Sequence, residues 1–302
     1  MRKEIKGQLQ LEDREGHLLD NHSLLNLFNV LERQIEALSA AAGISALKPY
    51  SAFCVDVLMT LSGPDFSRRF GEIEQRFREL ARSVKALMET HPEQRKPLGD
   101  ILETLAVAAS RLGEFRKDRF EWQSVPCEAF HRNLSRFLTA TEKVSQGRFH
   151  FVYAPAPNTE NGYRIEFQIH STGATLKAPP VLHDTIRDLV ANARKYSKPG
   201  TEIFLRLGEE KPNGLRLRVA DEGIGIPEDE IEKVVQFGYR ASNTTGRRTM
   251  GGGYGLTKAY QLCQKFGGRF FIDSAKDRGT RIEFTLFPPV SPAGKPEKIG
   301  VP

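Results

Sequence analysis

Three groups of residues have the types and spacing to do chemistry. The first is Asp188, Asn192 and Lys195 in the run DLVANARKYS at 188–197. Residues four apart on a helix share a face, so the Asp188 carboxylate and the Asn192 carboxamide stand one turn apart, with the Lys195 ammonium close beyond. Oxygen donors suit a hard divalent cation that keeps most of its waters, and a lysine beside them is a point charge for phosphate. The second group is Asp221 with Gly223 and Gly225 in DEGIGIP at 221–227. Glycines there let the backbone turn sharply and come close to a ligand. The third is GGGYGL at 251–256, where Gly251, Gly253 and Gly255 precede a helical pattern. Backbone N–H groups at a helix N-terminus form a ready site for phosphate. The spacing differs from the GxGxxG of a dinucleotide turn, and the preceding segment is polar rather than a buried strand.

The elements that must position these residues follow from periodicity. In the N-terminal half, Leu24, Leu27, Phe28, Leu31, Ile35 and Leu38 form one stripe of a helix from about His17 to Ala42, with Gly43 as its stop. His22, Asn26, Asn29 and Arg33 gather on the opposite side, while His17 projects onto the stripe. A short helix follows over 48–61, then a turn at Ser62–Asp65. Phe66, Phe70, Ile73, Phe77, Leu80, Val84 and Leu87 alternate spacings of four and three, a heptad seam. Pro97 opens another helix, with Ile101, Leu105, Ala108, Leu112 and Phe115 inward; a last one begins near Pro126 and ends before Gly147. This half reads as a bundle of about five helices.

From Arg148 the period changes to two. Strands are predicted at 149–153, 163–170, 201–207, 215–220, 269–275 and 281–287, with helices at DLVANARKYS, briefly from Glu228, and at LTKAYQLCQKF. Strands interleaved with helices suit an α/β sandwich of one mixed sheet with helices over one face. Residues 1–16 read as a polar, frayed start, and the Pro-rich stretch from Pro288 as a disordered tail.

Composition sets the bounds. The chain has 302 residues, 39% hydrophobic and 27% charged, with a net charge of +6. That charge is modest for the length and does not call for nucleic acid. No apolar run reaches the length of a membrane span, and MRKEIKGQLQLEDREG has no apolar signal core. Cys54, Cys127 and Cys263 lie far apart without a CxxC pair, which predicts reduced thiols in a cytoplasmic protein.

The three motifs, followed by GTRIEFTLFP at 279–288, stand in the order and at the separations that resemble the ATP site of the GHKL superfamily. That group holds sensor histidine kinases, Hsp90, DNA gyrase B and MutL, and the closing segment resembles the histidine kinases in particular. The resemblance implies an α+β protein: an N-terminal helical bundle followed by a C-terminal GHKL (Bergerat) α/β sandwich. It implies ATP and Mg²⁺ as cofactors, with Asn192 the direct protein ligand of the metal. Asp188, with His22 a catalytic candidate, falls where hydrolytic relatives carry a base and kinases carry an acidic or amide residue. Asp221 accepts the adenine amino hydrogen, supported by Thr280 through water, with Gly223 and Gly225 beside the base. Gly251, Gly253, Gly255 and Leu256 form the phosphate loop and helix start. Lys195 reaches phosphate and Tyr196 lines the sugar side. Arg240, with Arg247 and Arg248, neutralises the γ-phosphate; solvated loop arginines are the competing reading.

NHSLLNLFNVL at 21–31 also resembles the HFLFNxLN phosphoacceptor box of some sensor kinases, matching at His22, Leu24, Asn26 and Asn29. It departs at Ser23, where that motif has Phe and most other histidine kinases have an acidic residue, and it lacks a preceding Pro. An ordinary exposed helix histidine is the competing reading. His183–Asp184 looks like an acceptor dipeptide but lies in the nucleotide-site helix, which points to a structural role. The domains expected are 1–147, a dimerisation and phosphoacceptor bundle; 148–289, the ATP-binding catalytic domain; and 290–302, the tail. The function expected is an ATP-dependent histidine kinase that phosphorylates His22 and passes the group to a response-regulator aspartate. The Phe66–Leu87 seam either packs within one chain or meets a symmetry mate, and the expected assembly is a two-fold homodimer through it. The alternatives are a GHKL ATPase or nucleotide-operated switch, a serine-directed kinase of the same superfamily, and a non-catalytic adaptor.

Overall fold

The structure is a computed structural model that describes residues 2–61, 66–114, 119–145, 147–157, 159–244 and 252–289. Two compact units divide the chain: Gln10–Phe120, and the residues up to Leu9 together with those from Glu121 on.

The first unit consists of α1 (Asp13–Ala42), α2 (Lys48–Leu61), α3 (Phe66–Thr90) and α4 (Arg95–Glu114). A capping box between Glu12 and Glu15 opens α1. Gly43 closes it at φ 65°, a left-handed conformation that costs glycine little. The predicted stripe of α1 is the core: Leu24, Phe28, Leu31 and Ile35 are fully buried. They pack with Phe53 and Val57 of α2, Ile73, Phe77 and Leu80 of α3, and Ile101 and Leu105 of α4. The Asn29 and Arg33 side chains are exposed, as the helix phase requires. Asn21, on the buried side, donates from Nδ2 to the Leu61 carbonyl at 2.6 Å and so satisfies an end of α2.

Two expectations change here. The Phe66–Leu87 seam faces inward: Phe66, Ile73, Phe77, Leu80 and Val84 are buried in the core of their own chain, with Phe70 and Leu87 packed against it. A seam used to close the bundle is not available to a second copy. Among the described residues the first unit holds four α-helices rather than about five. The fifth helix, α5 (Cys127–Val144), packs on the helix Val181–Tyr196 and the sheet of the other unit, through a face that includes Phe130, Leu134 and Leu138. The predicted turn at 62–65, Phe115 and the tail at 290–302 lie outside the described residues.

The second unit is a seven-stranded mixed sheet in the order β1-β8-β9-β7-β6-β4-β3. Its strands are β1 (Arg2–Ile5), β3 (His150–Tyr153), β4 (Gly162–His170), β6 (Glu202–Glu210), β7 (Gly214–Asp221), β8 (Phe270–Ser274) and β9 (Thr280–Leu286). β3, β4 and β6 are parallel and the rest antiparallel. A two-stranded sheet joins β2 (Gln123–Pro126) to β5 (Thr175–Ala178). Ile203, Leu205 and Leu207, Leu217 and Val219, and Ile282 and Phe284 alternate onto a buried face. Over it lie α5, α6 (Val181–Tyr196) and α7 (Gly255–Lys265).

The start of the chain is not frayed. Residues 2–5 complete the sheet edge, with Arg2 opposite Asp273 and Ile5 opposite Phe270. Arg2 reaches Glu283 at 3.0 Å, and Arg269 reaches Glu4 at 2.8 Å. A strand edge offers unpaired N–H and C=O groups, and a short polar strand such as RKEI satisfies them without any apolar pattern of its own. The domain boundary expected at 147/148 therefore falls at 120/121, and the helical unit is inserted between β1 and the rest of the sandwich.

Candidate nucleotide site

Helix α6 buries Leu182, Ile186, Leu189, Val190 and Ala193 against the sheet. That phase leaves Asp188, Asn192 and Lys195 half-buried on the opposite side. Asp221 is the last residue of β7. Its Oδ1 accepts backbone N–H groups from Gly223 at 2.8 Å and Thr280 at 3.2 Å. Burial pushes its pKa up to about 6, partly countered by those two donors. The Thr280 backbone thus supports Asp221 directly, and its hydroxyl lies 3.0 Å from that of Ser274. Gly225 sits at φ 65°, and a Cβ there would stand 1.9 Å from the Ala275 carbonyl oxygen, so no other residue fits. The Ile224 N–H donates to the Tyr196 carbonyl at 3.1 Å, tying this loop to the end of α6.

The start of α7 meets the same helix. A Cβ on Gly255 would lie 2.7 Å from Asn192 Nδ2 and 3.6 Å from Asp188 Cβ. Glycine keeps that space open beside the first N–H groups of α7, where phosphate oxygens are best received. Gly253 and the half-buried Leu256 flank this point. Lys195 and Arg240 are close enough to feel each other's charge. Burial pulls the Lys195 ammonium down to about 8, with Arg240 and then Arg194 adding to the shift. Its Nζ also stands 5.2 Å from the Tyr196 ring centre. Two cations that raise each other's energy are suited to a polyanion that relieves both.

These residues fit a nucleotide triphosphate with its metal. The carboxylate at Asp221 is pre-oriented by two backbone donors, the start of α7 is left clear, and positive charge lies nearby. Among the described residues no three His, Cys, Asp or Glu side chains gather as a metal cage.

Sequence reasoning missed a buried cation that joins the two helices of this site. Lys258 of α7 is 7% exposed, and its Nζ lies 2.9 Å from Asp188 Oδ2 and against Asp184 Oδ2. Arg187 closes the group at 3.0 Å from Asp184 Oδ1. Burial works against the Lys258 charge, but the Asp184 and Asp188 carboxylates outweigh it and raise its pKa above the usual lysine value. Asp184 and Asp188 stand one turn apart in the sequence, but nothing local names their partner on another helix. His183 packs on the Phe130 ring at 4.5 Å, and burial pushes it down to about 4. His183 and Asp184 thus serve packing and ion pairing.

Gly251, Arg247 and Arg248 lie outside the described residues. The backbone of His22 is helical within α1, but its side chain, like those of His17, Ser23 and Asn26, also lies outside them.

A half-buried carboxylate, a glycine-lined helix start and an Asp/Asn helix over one mixed sheet define a nucleotide-binding α/β sandwich. Residues 178–291 match the family described as Histidine kinase-, DNA gyrase B-, and HSP90-like ATPase, so that segment is an ATP-binding domain similar to this superfamily's. Among curated relatives, the sensor histidine kinase WalK of Bacillus subtilis is 38% identical over 100 residues, 33% of this chain and 16% of that protein. The circadian input-output histidine kinase CikA of Synechococcus elongatus is 28% identical over 230 residues, 74% of this chain and 27% of the relative. The chain thus spans well under a third of the length of these relatives. Among solved structures, the mycobacterial sensor histidine kinase MprB aligns over 55% of this chain and 96% of its own, at 24% identity and a TM-score of 0.38. No helix among the described residues is long and apolar enough to cross a membrane.

Proposed function

We propose that the chain is an ATP-dependent protein histidine kinase of a two-component system. Asp221 would receive the adenine amino group, Asn192 would hold Mg²⁺, and Lys195 and Arg240 would receive the phosphates at the start of α7. The metal, when bound, neutralises phosphate charge. The Nε2 or Nδ1 lone pair of His22 attacks the γ-phosphorus, the bond to the β,γ-bridging oxygen breaks, and ADP leaves. Phosphohistidine then passes its phosphoryl group to an aspartate of a response regulator. Catalysis rests on positioning and charge neutralisation rather than on a covalent step by the nucleotide domain. Ser23 is no base for the His22 proton, so transfer is slow until another group or water takes it. The protein works as a cytoplasmic homodimer, through a surface other than the Phe66–Leu87 seam.

The observation that carries the reading is the Asp221 carboxylate, held by Gly223 and Thr280 at the end of β7 in a domain of histidine-kinase type. The test is incubation with γ-labelled ATP and Mg²⁺. Wild type acquires acid-labile, base-stable label, and His22→Gln loses it while ATP binding persists. Label at wild-type level in His22→Gln moves the acceptor elsewhere. Acid-stable label makes the chemistry that of a serine kinase.

A further inference from the structure

Residues 236–239 run along the start of α7. The Thr257 hydroxyl donates to the Gln236 carbonyl at 3.1 Å, and the Phe237 and Tyr254 ring centres lie 4.7 Å apart. A Cβ on Gly253 would stand 2.8 Å from the Tyr239 carbonyl oxygen, so glycine alone lets the two segments pass. Arg240 comes next in the sequence, and its side chain is exposed. An exposed arginine on a free loop loses rotamer and backbone freedom when it meets a ligand. Here the backbone on both sides of it is already held. The buried Glu230 carboxylate accepts the Ser242 N–H at 2.9 Å and a hydrogen bond from the Tyr239 hydroxyl. Asn243 Nδ2 donates to the Gly225 carbonyl at 2.9 Å, which ties the same stretch to the loop beside Asp221. These donors, the Ser242 N–H first, hold the Glu230 carboxyl below the usual carboxylate range although burial works against them. It is therefore ionised at neutral pH, and an ionised acceptor makes the stronger hydrogen bond.

We propose that Glu230 is a positioning residue for phosphate binding: by gripping Tyr239 and Ser242 on either side of Arg240, it presents that guanidinium to the phosphates of the nucleotide. This rests on the reading of the α7 start as the phosphate site. Arg240 is also close enough to Lys195 of α6 for their charges to oppose each other. Two cations held together without an anion are unfavourable, and an arginine on an untethered backbone would swing away. A tethered one stays, and the cost of bringing the charges together is met by the fold before the ligand arrives. Glu230 acts through Arg240 and needs no contact with the ligand.

The test is a double-mutant cycle on the full chain: Glu230→Ala, Arg240→Ala and the two together, each checked by thermal melting. Calorimetry measures binding of adenosine and, with Mg²⁺, of an ATP analogue whose β,γ bridge is an imido group. Arg240→Ala should weaken the analogue on the order of tenfold, and Glu230→Ala by a similar factor, because a hydrogen bond from a charged group is lost in one and misplaced in the other. Adenosine, which has no phosphate, should bind every variant within about twofold of wild type. The double variant should bind the analogue no more than about twofold worse than Arg240→Ala alone, since a residue that acts through Arg240 then has nothing left to position. Should Glu230→Ala not fold, the same cycle is run with Glu230→Gln, which keeps the shape but loses the charge and one acceptor oxygen.

Unchanged analogue affinity in the folded Glu230 variant, with Arg240→Ala weakened, overturns the inference and leaves the nucleotide reading intact. A loss of equal size with adenosine, or one that adds in full to that of Arg240→Ala, also overturns it, because Glu230 then supports the site as a whole. Arg240→Ala without effect removes Arg240 from the phosphate site and the inference with it. A wild type that binds neither ligand removes the nucleotide reading itself.

Discussion

From Gln10 to Phe120 the buried side chains are apolar, with Asn21 the polar exception among the described residues. The sandwich instead buries Asp184, Arg187, Glu230, Lys258 and Glu283 beside an ordinary apolar core. The helical unit spends its sequence on shape, and shape tolerates exchange among side chains of similar volume. The nucleotide unit places charges where water is scarce and must pair each one. Glu283 shows the cost of doing so, drawing in Arg2, Arg216 and Arg218 around one carboxylate. The first kind of interior holds a fold, and the second also holds groups in a chosen state for a ligand.

The contrast predicts separable failures. The largest effect is expected in the helical core. Phe28 is fully buried, with Phe77 at 5.4 Å and Phe53 at 6.4 Å between ring centres. Phe28→Ala should cost the helical unit about 3–5 kcal/mol, read by denaturant unfolding followed by circular dichroism. ADP affinity of the folded protein should not change. A matching loss of ADP affinity would mean that the two units do not act as separate cooperative bodies.

Asp221→Asn is the reverse case. An amide keeps one acceptor but loses the charge, and the loss should be about 2–3 kcal/mol of ADP binding, roughly 30- to 150-fold by calorimetry. The melting of the helical unit should stay where it is. Unchanged affinity would remove Asp221 from the site.

The smallest effect sharpens the electrostatic side. Burial raises Asp221 to about 6, so the free site takes up a proton as pH falls through that value. Adenine needs an acceptor, so ligand and proton compete. Affinity for adenosine, which lacks ionising phosphates, should be level above pH 7 and about tenfold weaker at pH 5. The sign for stability is opposite. A carboxyl whose folded pKa lies above its unfolded value favours the fold when protonated, and that contribution is lost as pH rises through about 6. A flat adenosine profile from pH 5 to 7 would show that the carboxylate is not the group adenine meets.

What the sequence determined by itself is local. The phase of α1 from Leu24 to Leu38, the alternation of the strands from β6 to β9, and the Asp188–Asn192 spacing each depend on neighbours within a turn or a pleat. The same is true of Gly223 and Gly225 beside Asp221, whose backbone demands are written in the residue type. Only the tertiary structure decided the pairings between distant segments. RKEI has no apolar signature, yet β8 offers an edge that orders it. The Phe66–Leu87 pattern fits an internal core or a second copy equally well, and only α1, α2 and α4 settle which. Lys258 reaches Asp184 across 74 residues. A lysine in a helix reads as a solvated charge until a second helix, bearing two carboxylates one turn apart, closes over it and excludes the water that would otherwise have solvated it.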